Sequence, residues 1–360
     1  MCSKKDYCFE MRDSDIQSAI DHWAPRFTTQ GVDPNDFQRV TSGLENWSEW
    51  LDAWVANGDM HAELAAEAER AGHKVSAGNA WNRAALSYHF AKFVWVLDMS
   101  KHKLATEKSI AALLRAHKNL DPSARRLEIP FESHRLVGNL RRPQGVSNPP
   151  LVILLPGLDS TKEEFFNWEN VFLSRGLATF SLDGPGQGES GFNFTLRPNY
   201  ESAIEVAIDT LLTIKDVDAS RLGVVGVSMG GYYAARSAAH DSRIKAAVTV
   251  GGSYDTGSRY DARPPISRAA FYQYSGAKNE DEARAIAESI TLEGCLHNLT
   301  QPLLVIFGKK DRLVPYQHAE RVVAEAGNAK LIMIDDGNHV CNNYPYLYHP
   351  LAGDWMVDHL

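Results

Sequence analysis

Apolar residues recur at helical spacing through the first part of the chain, from about residue 13 to residue 120. Trp47, Trp50, Leu51, Trp54 and Val55 occupy positions i, i+3, i+4, i+7 and i+8, which lie on one face of a helix. Further helical patterns cover 61–71, 80–97 and 101–118. The spacing therefore predicts an all-helical N-terminal unit without strands.

The hydrophobic period changes after Asp121 and Pro122. Residues 126–131 and 136–140 alternate like two strands joined by a turn. Short apolar runs follow, mostly separated by helical patterns, at 151–155, 178–182, 222–227, 246–250, 303–307 and 331–334. Such strands, alternating with helices, are typical of a mostly parallel sheet with helices on both faces. The pattern predicts a helical domain over 1–122 and an α/β domain over 123–360.

One connection in the α/β part is unusually long. Residues 253–300, between two of the apolar runs, contain Pro264, Pro265, several aromatic residues and an acidic helical stretch over 279–289. A connection of this length exceeds the ordinary loops of compact domains. We expect it to act as a lid across the carboxyl edge of the sheet, where α/β proteins bind ligands.

Composition and charge exclude several classes of protein. The chain has 360 residues, 44% hydrophobic and 23% charged, as ordinary globular proteins have, and its net charge of -8 offers no footprint for nucleic acid or an anionic membrane. No run of eighteen apolar residues and no secretory leader pattern occurs. The four cysteines, Cys2, Cys8, Cys295 and Cys341, have no zinc-site spacing. We expect a cytoplasmic protein with reduced thiols and no membrane span.

The sharpest local motif is a G-x-S-x-G formed by Gly226, Ser228 and Gly230. It follows the apolar run 222–227 and opens a helical pattern over 231–240. A strand-to-helix turn of this kind exposes the serine hydroxyl, and its strained backbone requires small neighbours. The alternative is a glycine-rich turn capped by serine. We predict that Ser228 is a nucleophile.

A serine nucleophile needs a histidine base and a carboxylate that orients the base. His339 lies in a loop after the run 331–334, and Asp311 follows the run 303–307. The order Ser, Asp, His is that of α/β hydrolases. The alternative role for Asp311 is a cap of the helix that begins near Pro315. His318 falls on a helical face and is expected to be a solvated surface group.

Backbone amides are the expected donors to an oxyanion. Met229 directly follows Ser228 at the start of the strand-to-helix turn, and the loop after the run 151–155 presents the amide of Leu158 because Gly157 allows a sharp turn. Gly157 or Asp159 are alternative donors in that loop. The glycine-rich segment 183–190 resembles a phosphate cradle, but it lacks the G-x-G-x-x-G register, so we interpret it as a structural loop.

These motifs resemble the α/β-hydrolase superfamily. The strings PGLDSTKEEFF, LDGPGQGES, GVSMGGYYA, GKKDRLVP and DGNH are similar to those of the branch that contains the 2,6-dihydroxypseudooxynicotine hydrolases of nicotine breakdown and fungal enzymes that shorten polyketide chains. This resemblance implies the α/β-hydrolase fold with a helical cap, the triad Ser228, Asp311 and His339, and an oxyanion hole at Leu158 and Met229.

The resemblance also implies hydrolysis of a carbon-carbon bond next to a carbonyl, on an aryl ketone or diketone-like substrate. The family places a further acid after the strand that follows the nucleophile helix, and Asp255 and Asp261 are the candidates here, with Arg259 between them. Solvated loop acids are the alternative interpretation of both.

Three further interpretations remain open at this point. The triad also suits a carboxylesterase or amidase, acyl transfer to an acceptor other than water is compatible with it, and a non-catalytic binding protein could keep the fold. No metal and no organic cofactor is expected, because triad chemistry needs neither. The expected partner is a small apolar or aromatic carbonyl compound, and the tryptophan-rich helical unit suggests a homodimer.

Overall fold

The computed structural model describes residues 13–360, so Cys2 and Cys8 lie outside the described residues. The chain begins with five helices, α1 Ser14–Gln30, α2 Pro34–Ser42, α3 Trp50–Arg70, α4 Lys74–Lys92 and α5 Met99–Leu120. The predicted helices are confirmed. The first strand begins only at Arg125. The division into domains at 122 and 123 stays a prediction.

Aromatic side chains fill the space between these helices. Phe27 of α1 stacks on Phe90 of α4 at 3.8 Å between ring centroids, and it meets Trp50 and Trp54 of α3 at 6.0 and 5.2 Å. The six tryptophans of the helical segment are all buried within the chain, at Trp23, Trp47, Trp50, Trp54, Trp81 and Trp95. They are therefore core residues, and the feature that suggested a homodimer provides no exposed apolar face.

The second part of the chain forms an eight-stranded sheet, which confirms the predicted fold class. The strands are β1 Arg125–Phe131, β2 His134–Arg141, β3 Pro150–Leu155, β4 Ala178–Asp183, β5 Asp218–Val227, β6 Ile244–Val250, β7 Leu303–Gly308 and β8 Ala329–Ile334. Their order is β1-β2-β4-β3-β5-β6-β7-β8, in which β2 pairs antiparallel with β1 and β4 and the others pair in parallel. This is the mostly parallel sheet of an α/β hydrolase.

Helices cover both faces of the sheet. The helices outside the N-terminal segment are α6 Phe166–Leu173, α7 Glu201–Leu211, α8 Met229–His240, α9 Pro265–Ser275, α10 Glu280–Ser289, α11 Gln317–Glu325 and α12 Pro345–His359. Side chains of α7, α8 and α11 share one hydrophobic cluster with the sheet, whereas those of α6 and α12 share another. Burial on both faces explains why the strands read as continuous apolar runs.

The long connection between β6 and β7 contains α9 and α10. Ile266 and Ala270 of α9 pack into the aromatic cluster of the N-terminal helices, while Phe271 belongs to the cluster beneath the sheet. The connection is therefore packed between both parts of the chain. Within residues 13–360, no helix combines the length and apolarity that a membrane crossing requires.

Candidate active site

Ser228 lies at the turn between β5 and α8, in a backbone conformation that side chains rarely adopt. Its φ is 54° and its ψ is -125°. A Cβ on Gly226 would stand 1.8 Å from the carbonyl oxygen of Gly230, and one on Gly230 would stand 2.1 Å from that of Leu155. The two glycines of the motif are thus required by close backbone contacts, as the sequence predicts for a strained strand-to-helix turn.

The structure brings Ser228, His339 and Asp311 together. Nε2 of His339 lies 2.9 Å from Oγ of Ser228, and its Nδ1 lies 2.7 Å from Oδ2 of Asp311. The side chain of Asp311 is fully buried. A proton on Nδ1 is held by the carboxylate, which leaves Nε2 free to accept the serine proton.

Asp311 does not cap the following helix, whose N-cap is Tyr316 and which begins at Gln317, but its second oxygen stabilises the turn after β7. Its Oδ1 accepts hydrogen bonds from the amides of Leu313 and Val314 at 2.8 and 3.0 Å. The two oxygens of one carboxylate thus serve different partners. The turn after β7 fixes the carboxylate, and the carboxylate fixes the imidazole of His339.

The loop after β3 lies directly against the nucleophile. A Cβ on Gly157 would stand 3.1 Å from Cβ of Ser228, so the backbone of this loop passes within contact distance of the serine. Leu158 and Met229, the predicted oxyanion donors, both line the same cavity as Ser228. As the first residue of α8, Met229 has an amide without an intrahelical partner.

A buried glutamine, which sequence reasoning missed, holds the loop in this position. Nε2 of Gln187 donates to the carbonyl oxygens of Pro156 and Gly157 at 2.6 and 3.0 Å, while its Oε1 accepts from the amide of Gly184 and the hydroxyl of Tyr200. The glycine-rich segment around Gln187 therefore supports the oxyanion loop.

The cavity above Ser228 contains about 860 Å³ of empty space, part of it open to solvent. Its walls come from distant parts of the chain. The N-terminal helices and the residues after α4 contribute Trp23, Arg26, Gln30 and Val94, the β6 to β7 connection contributes Ser253, Arg263 and Ser267, and the triad loops contribute Leu313, Val314, Val340 and Asn342. Such a mixture of apolar walls and a few polar groups is typical of small-molecule sites.

The structure does not bring Asp255 or Asp261 into this cavity. Asp261 is exposed and forms an ion pair with Arg284. The carboxylate of Asp255 accepts a hydrogen bond from the amide of Ser258 at 2.8 Å and lies 4.0 Å from Nδ1 of His318. Neither carboxylate is positioned to touch a substrate at Ser228, because their local partners hold them outside the cavity lining.

The expectation that His318 is a solvated surface group is wrong. Only 11% of its side chain is exposed, and its Nδ1 accepts a hydrogen bond from the amide of Tyr254 at 3.1 Å. Burial lowers the pKa of His318, and the nearby charge of Asp255 opposes that shift. The helix α11 packs under the long connection, which covers this face.

A buried ion network, also missed from the sequence, joins α1 to the loop after β3. Arg26 contacts Glu164 through Nε and Nη2 at 2.7 Å each and Asp159 through Nη1 at 2.9 Å. Burial alone would favour a neutral Glu164, but the charge and hydrogen bonds of Arg26 hold the pKa of this carboxyl well below its usual range. His89 of α4 adds a further contact to Glu164 at 3.1 Å.

A second buried cluster surrounds Lys162. Its Nζ lies 2.6 Å from Glu163, 2.8 Å from Asp183 and 2.7 Å from Glu189. Within residues 13–360, these three acids are the group whose oxygens are close enough to hold a metal ion. The ammonium already occupies the centre and pairs with all three carboxylates, so the cluster fits an ion network better than a metal site.

The sequence carried one signal for these networks. The stretch Ser160 to Glu164 contains three charged residues between a strand and a helix, where exposed loop charges are expected, yet every residue in it is at most 3% exposed. Charged residues are almost never fully buried unless they are paired. Their partners, Arg26 and Asp183, lie far away in the sequence, so no local spacing revealed them.

Comparison with known proteins agrees with this architecture. A family model described as esterase FrsA-like matches residues 33–360. The chain is 31% identical over 312 residues to the 2,6-dihydropseudooxynicotine hydrolase of Paenarthrobacter nicotinovorans, a match that covers 86% of this chain and 84% of the relative. It is also 31% identical over 236 residues to the alpha/beta hydrolase xenA of Xenoacremonium sinensis, covering 61% of this chain and 55% of that relative.

A solved structure extends the comparison to three dimensions. The crystal structure of a 2,6-dihydroxy-pseudo-oxynicotine hydrolase superposes with a TM-score of 0.86 at 28% identity, covering 94% of this chain and 95% of that one. The similarity thus includes the N-terminal helices as well as the sheet. The chain belongs to the FrsA-like esterase family and is a hydrolase with the α/β-hydrolase fold.

Proposed function

We propose that the protein is a serine hydrolase that uses Ser228, His339 and Asp311 to cleave a bond next to a carbonyl group. The observation that carries the proposal is the unbroken chain of hydrogen bonds from Ser228 through His339 to Asp311, at 2.9 and 2.7 Å. A base within hydrogen-bond reach of the nucleophile, oriented by a third group, is the general requirement for this chemistry.

The first half of the reaction forms an acyl enzyme. His339 removes the proton from Ser228 as the serine oxygen attacks the carbonyl carbon of the substrate. The amides of Met229 and Leu158 stabilise the resulting oxyanion, an interaction typically worth about 3 to 4 kcal/mol of barrier. The tetrahedral intermediate then collapses, the bond to the leaving group breaks, and the imidazolium of His339 donates its proton to the leaving atom.

The second half releases the product acid. Water replaces the leaving group, His339 takes a proton from it, and the hydroxide attacks the acyl carbon. A second tetrahedral intermediate forms at the same amides. Its collapse returns the proton to Ser228 and frees the carboxylic acid.

Within this scheme we propose that the bond cleaved is a carbon-carbon bond of an aryl ketone or diketone-like substrate. The 31% identity to a pseudooxynicotine hydrolase over most of both chains supports this choice. Trp23, Leu158 and Leu313 provide apolar walls for an aromatic ring. Asp159 and Glu164 line the cavity but are engaged by Arg26, so His339 is the proton donor to the leaving carbanion.

Ester hydrolysis is the second candidate, because the matching family model is described as an esterase. The triad and the oxyanion amides would act identically on an ester. Only the leaving atom differs, since an alkoxide or phenoxide needs less assistance than a carbanion. Amide hydrolysis and acyl transfer remain variants of this candidate.

The test is a panel of aryl ketones, β-diketones, esters and amides assayed with the wild-type protein and with Ser228→Ala. We expect the variant to lose at least about 1,000-fold in kcat on every substrate that the wild type turns over. The exposed Ser174→Ala, outside the cavity, is the matched control. Turnover of diketones without turnover of simple esters supports carbon-carbon hydrolysis, and the reverse supports the esterase.

A fluorophosphonate distinguishes an enzyme from a binding protein that keeps the fold. We expect one label per chain in the wild type, none in Ser228→Ala and one in Ser174→Ala. Absence of labelling in the wild type, or unchanged turnover in Ser228→Ala, would show that the proposed nucleophile is wrong.

We also propose that residues 1–122 act as a cap and 123–360 as the catalytic domain, in a cytoplasmic protein. A homodimer remains part of this proposal. Light scattering at micromolar concentration tests it, and a monomeric mass would remove it.

A further inference from the structure

Arg263 is a partly buried cation in the cavity without a counterion. It lies in the connection between β6 and β7, just before α9, and lines the same cavity as Ser228 and His339. Its Nε is shielded from solvent and has no hydrogen-bond partner, and within residues 13–360 no carboxylate lies within ion-pair distance of its guanidinium. Its one side-chain neighbour of note is the ring of Phe271, whose centroid lies 5.4 Å away.

The other arginine of the cavity differs from Arg263 because it has counterions. Arg26 is neutralised by two carboxylates, Asp159 and Glu164, and these are the acids in the cavity lining. Both carboxylates already pair with Arg26, so neither of them serves as a counterion for Arg263. Burial lowers the pKa of Arg263 to about 10, although the nearby charges of Tyr260 and Asp159 act in the opposite direction. At neutral pH the side chain is still a cation.

A guanidinium that is partly removed from solvent, with its Nε shielded and unpaired, is destabilised relative to one in water. Proteins keep such groups where a ligand supplies the missing partner, and unsatisfied polar groups of this kind cluster at functional sites. The guanidinium presents a planar fork of N–H donors that matches a carboxylate in two parallel hydrogen bonds.

We propose that Arg263 binds a carboxylate of the substrate, so that the substrate class is a carbonyl compound with an apolar middle and a carboxylate at one end. Trp23, Val94 and Val314 supply apolar walls of the same cavity. The inference rests on the proposed function, because it takes this cavity as the place where Ser228 reacts. It assigns to Arg263 the selection of substrate and no part in the bond-breaking step.

The alternative is that Arg263 only packs against Phe271 and supports the fold of the connection. The two roles predict different effects on charged and uncharged substrates. A packing role changes the turnover of charged and uncharged substrates alike. A carboxylate-binding role changes their ratio, because only the charged substrate loses an ionic hydrogen-bonded pair.

The experiment compares 4-nitrophenyl hexanoate with the mono-4-nitrophenyl ester of adipic acid, which has the same acyl length and a terminal carboxylate. A second pair, phenyl hexanoate and 4-carboxyphenyl hexanoate, moves the carboxylate to the leaving group. For each pair, kcat/KM is measured with the wild type, Arg263→Met, Arg263→Lys and the control Arg268→Met. Arg268 lies on α9, outside the cavity lining, beside Glu280 at 4.0 Å.

We expect the ratio of kcat/KM, carboxylate over uncharged, to fall by about 10- to 100-fold in Arg263→Met for at least one pair, the range expected for hydrogen bonds to a charged group. Arg263→Lys should retain part of the ratio, because it keeps the charge and loses the fork. Arg268→Met should leave the ratio at the wild-type value. An unchanged ratio in Arg263→Met, or an equal loss on both members of each pair, overturns the inference.

A binding measurement separates this inference from the proposed reaction. Calorimetry of 3-phenylpropanoate and 3-phenylpropanamide needs no turnover, and the wild type should bind the carboxylate at least about 10-fold more tightly. Arg263→Met, or Arg263→Lys if the first variant is insoluble, should lose that preference. Equal binding of the two ligands by the wild type overturns the inference, whereas activity retained in Ser228→Ala overturns the proposed function alone.

Discussion

The backbone around Ser228 gives the sharpest prediction at the scale of single residues. Gly226→Ala places a Cβ 1.8 Å from the carbonyl oxygen of Gly230, and both atoms belong to the tight turn, so no flexible side chain can yield. We expect the free energy of unfolding to fall by more than about 3 kcal/mol, or the protein to be lost from the soluble fraction. Chemical denaturation measures the change.

Gly327→Ala is the matched control for that substitution. Nothing lies within 4 Å of a Cβ at Gly327, and its φ is outside the left-handed region. Its free energy of unfolding should stay within about 0.5 kcal/mol of the wild type. Comparable stability of the two variants would contradict the account of the turn.

Gln187→Glu tests the support of the oxyanion loop. The substitution keeps the size and the acceptor oxygen but removes the donor to the carbonyls of Pro156 and Gly157. The loop amides should shift, and because a displacement of about 1 Å costs about 100-fold in rate, we expect kcat to fall by about that factor and KM much less. Steady-state kinetics on the best substrate measure this. The exposed Gln273→Glu is the control, and an unchanged kcat in a folded Gln187→Glu would refute the role.

The residues that could be predicted from the sequence share one property. Ser228, Asp311 and His339 each follow a strand of recognisable pattern, so local spacing placed all three at the same edge of the sheet. Arg26 and its partner Glu164 are 138 positions apart, and Gln187 acts on carbonyls 30 and 31 positions away. Such contacts depend on the packing of distant elements, which no local period encodes.

At the scale of elements, α1 is held to the loop after β3 by the charge of Arg26, whereas its aromatic side chains pack against the other N-terminal helices. Arg26→Met leaves Glu164, whose side chain is 1% exposed, without its principal cation. Removing one partner of a buried pair typically costs about 3 to 5 kcal/mol, and we expect that loss in the free energy of unfolding at pH 7. Lys101→Met, which breaks an exposed pair with Asp52, should cost less than about 1 kcal/mol.

The cost of Arg26→Met should depend on pH. In the wild type the pKa of Glu164 lies below its ordinary value of 4.5, so the pair stabilises the fold above that pH and loses its contribution as the pH falls. Without Arg26, burial raises the pKa of Glu164, and a proton neutralises it at higher pH. The difference between variant and wild type should therefore shrink from pH 8 to pH 5. A constant difference would contradict this coupling.

The type of each element with a strong hydrophobic period could be predicted from the sequence. The way these elements pack against one another could not. Every apolar run of the α/β part became a strand, and in inner strands such as β3, β4 and β7 burial on both faces demands continuous apolar sequence. The helical spacing of apolar residues in the N-terminal segment predicted helices equally clearly. Its role as a cavity wall, through Trp23 and Arg26 of α1, depends on how α1 docks, and the sequence pattern of one helix carries no information about its partner.

At the scale of the whole molecule, stability is coupled to pH by two buried histidines, His102 and His117, and two partly buried ones, His22 and His349. Burial lowers the pKa of His22, His102 and His117 to about 4, and neighbouring positive charges add to the shift of these three. Burial lowers the pKa of His349 to about 3. These histidines lie on α1, α5 and α12. In the unfolded chain they titrate near 6.5, so unfolding takes up protons between pH 6.5 and 4.

The direction of these pKa shifts determines whether the protein gains or loses stability as the pH falls. A folded pKa below the unfolded one means that the contribution to stability is complete above pH 6.5 and is lost as the pH falls toward 4. Each histidine should remove about 2.5 kcal/mol by pH 4.5, since each unit of pKa difference is worth about 1.4 kcal/mol. We expect the free energy of unfolding, measured by urea denaturation, to fall steeply over this range.

His349→Phe isolates one of the four contributions. The ring of His349 stacks on Trp168 at 5.3 Å between centroids, and its Nε2 is buried without a hydrogen-bond partner, so phenylalanine keeps the stacking and loses nothing polar. At pH 8 the variant should be as stable as the wild type or more so. Near pH 5 the slope of stability against pH should decrease by about 1.4 kcal/mol per pH unit, which corresponds to one proton fewer. A slope identical to that of the wild type would mean that His349 takes up its proton in the folded state as readily as in the unfolded chain, and that burial of this ring does not oppose its charge.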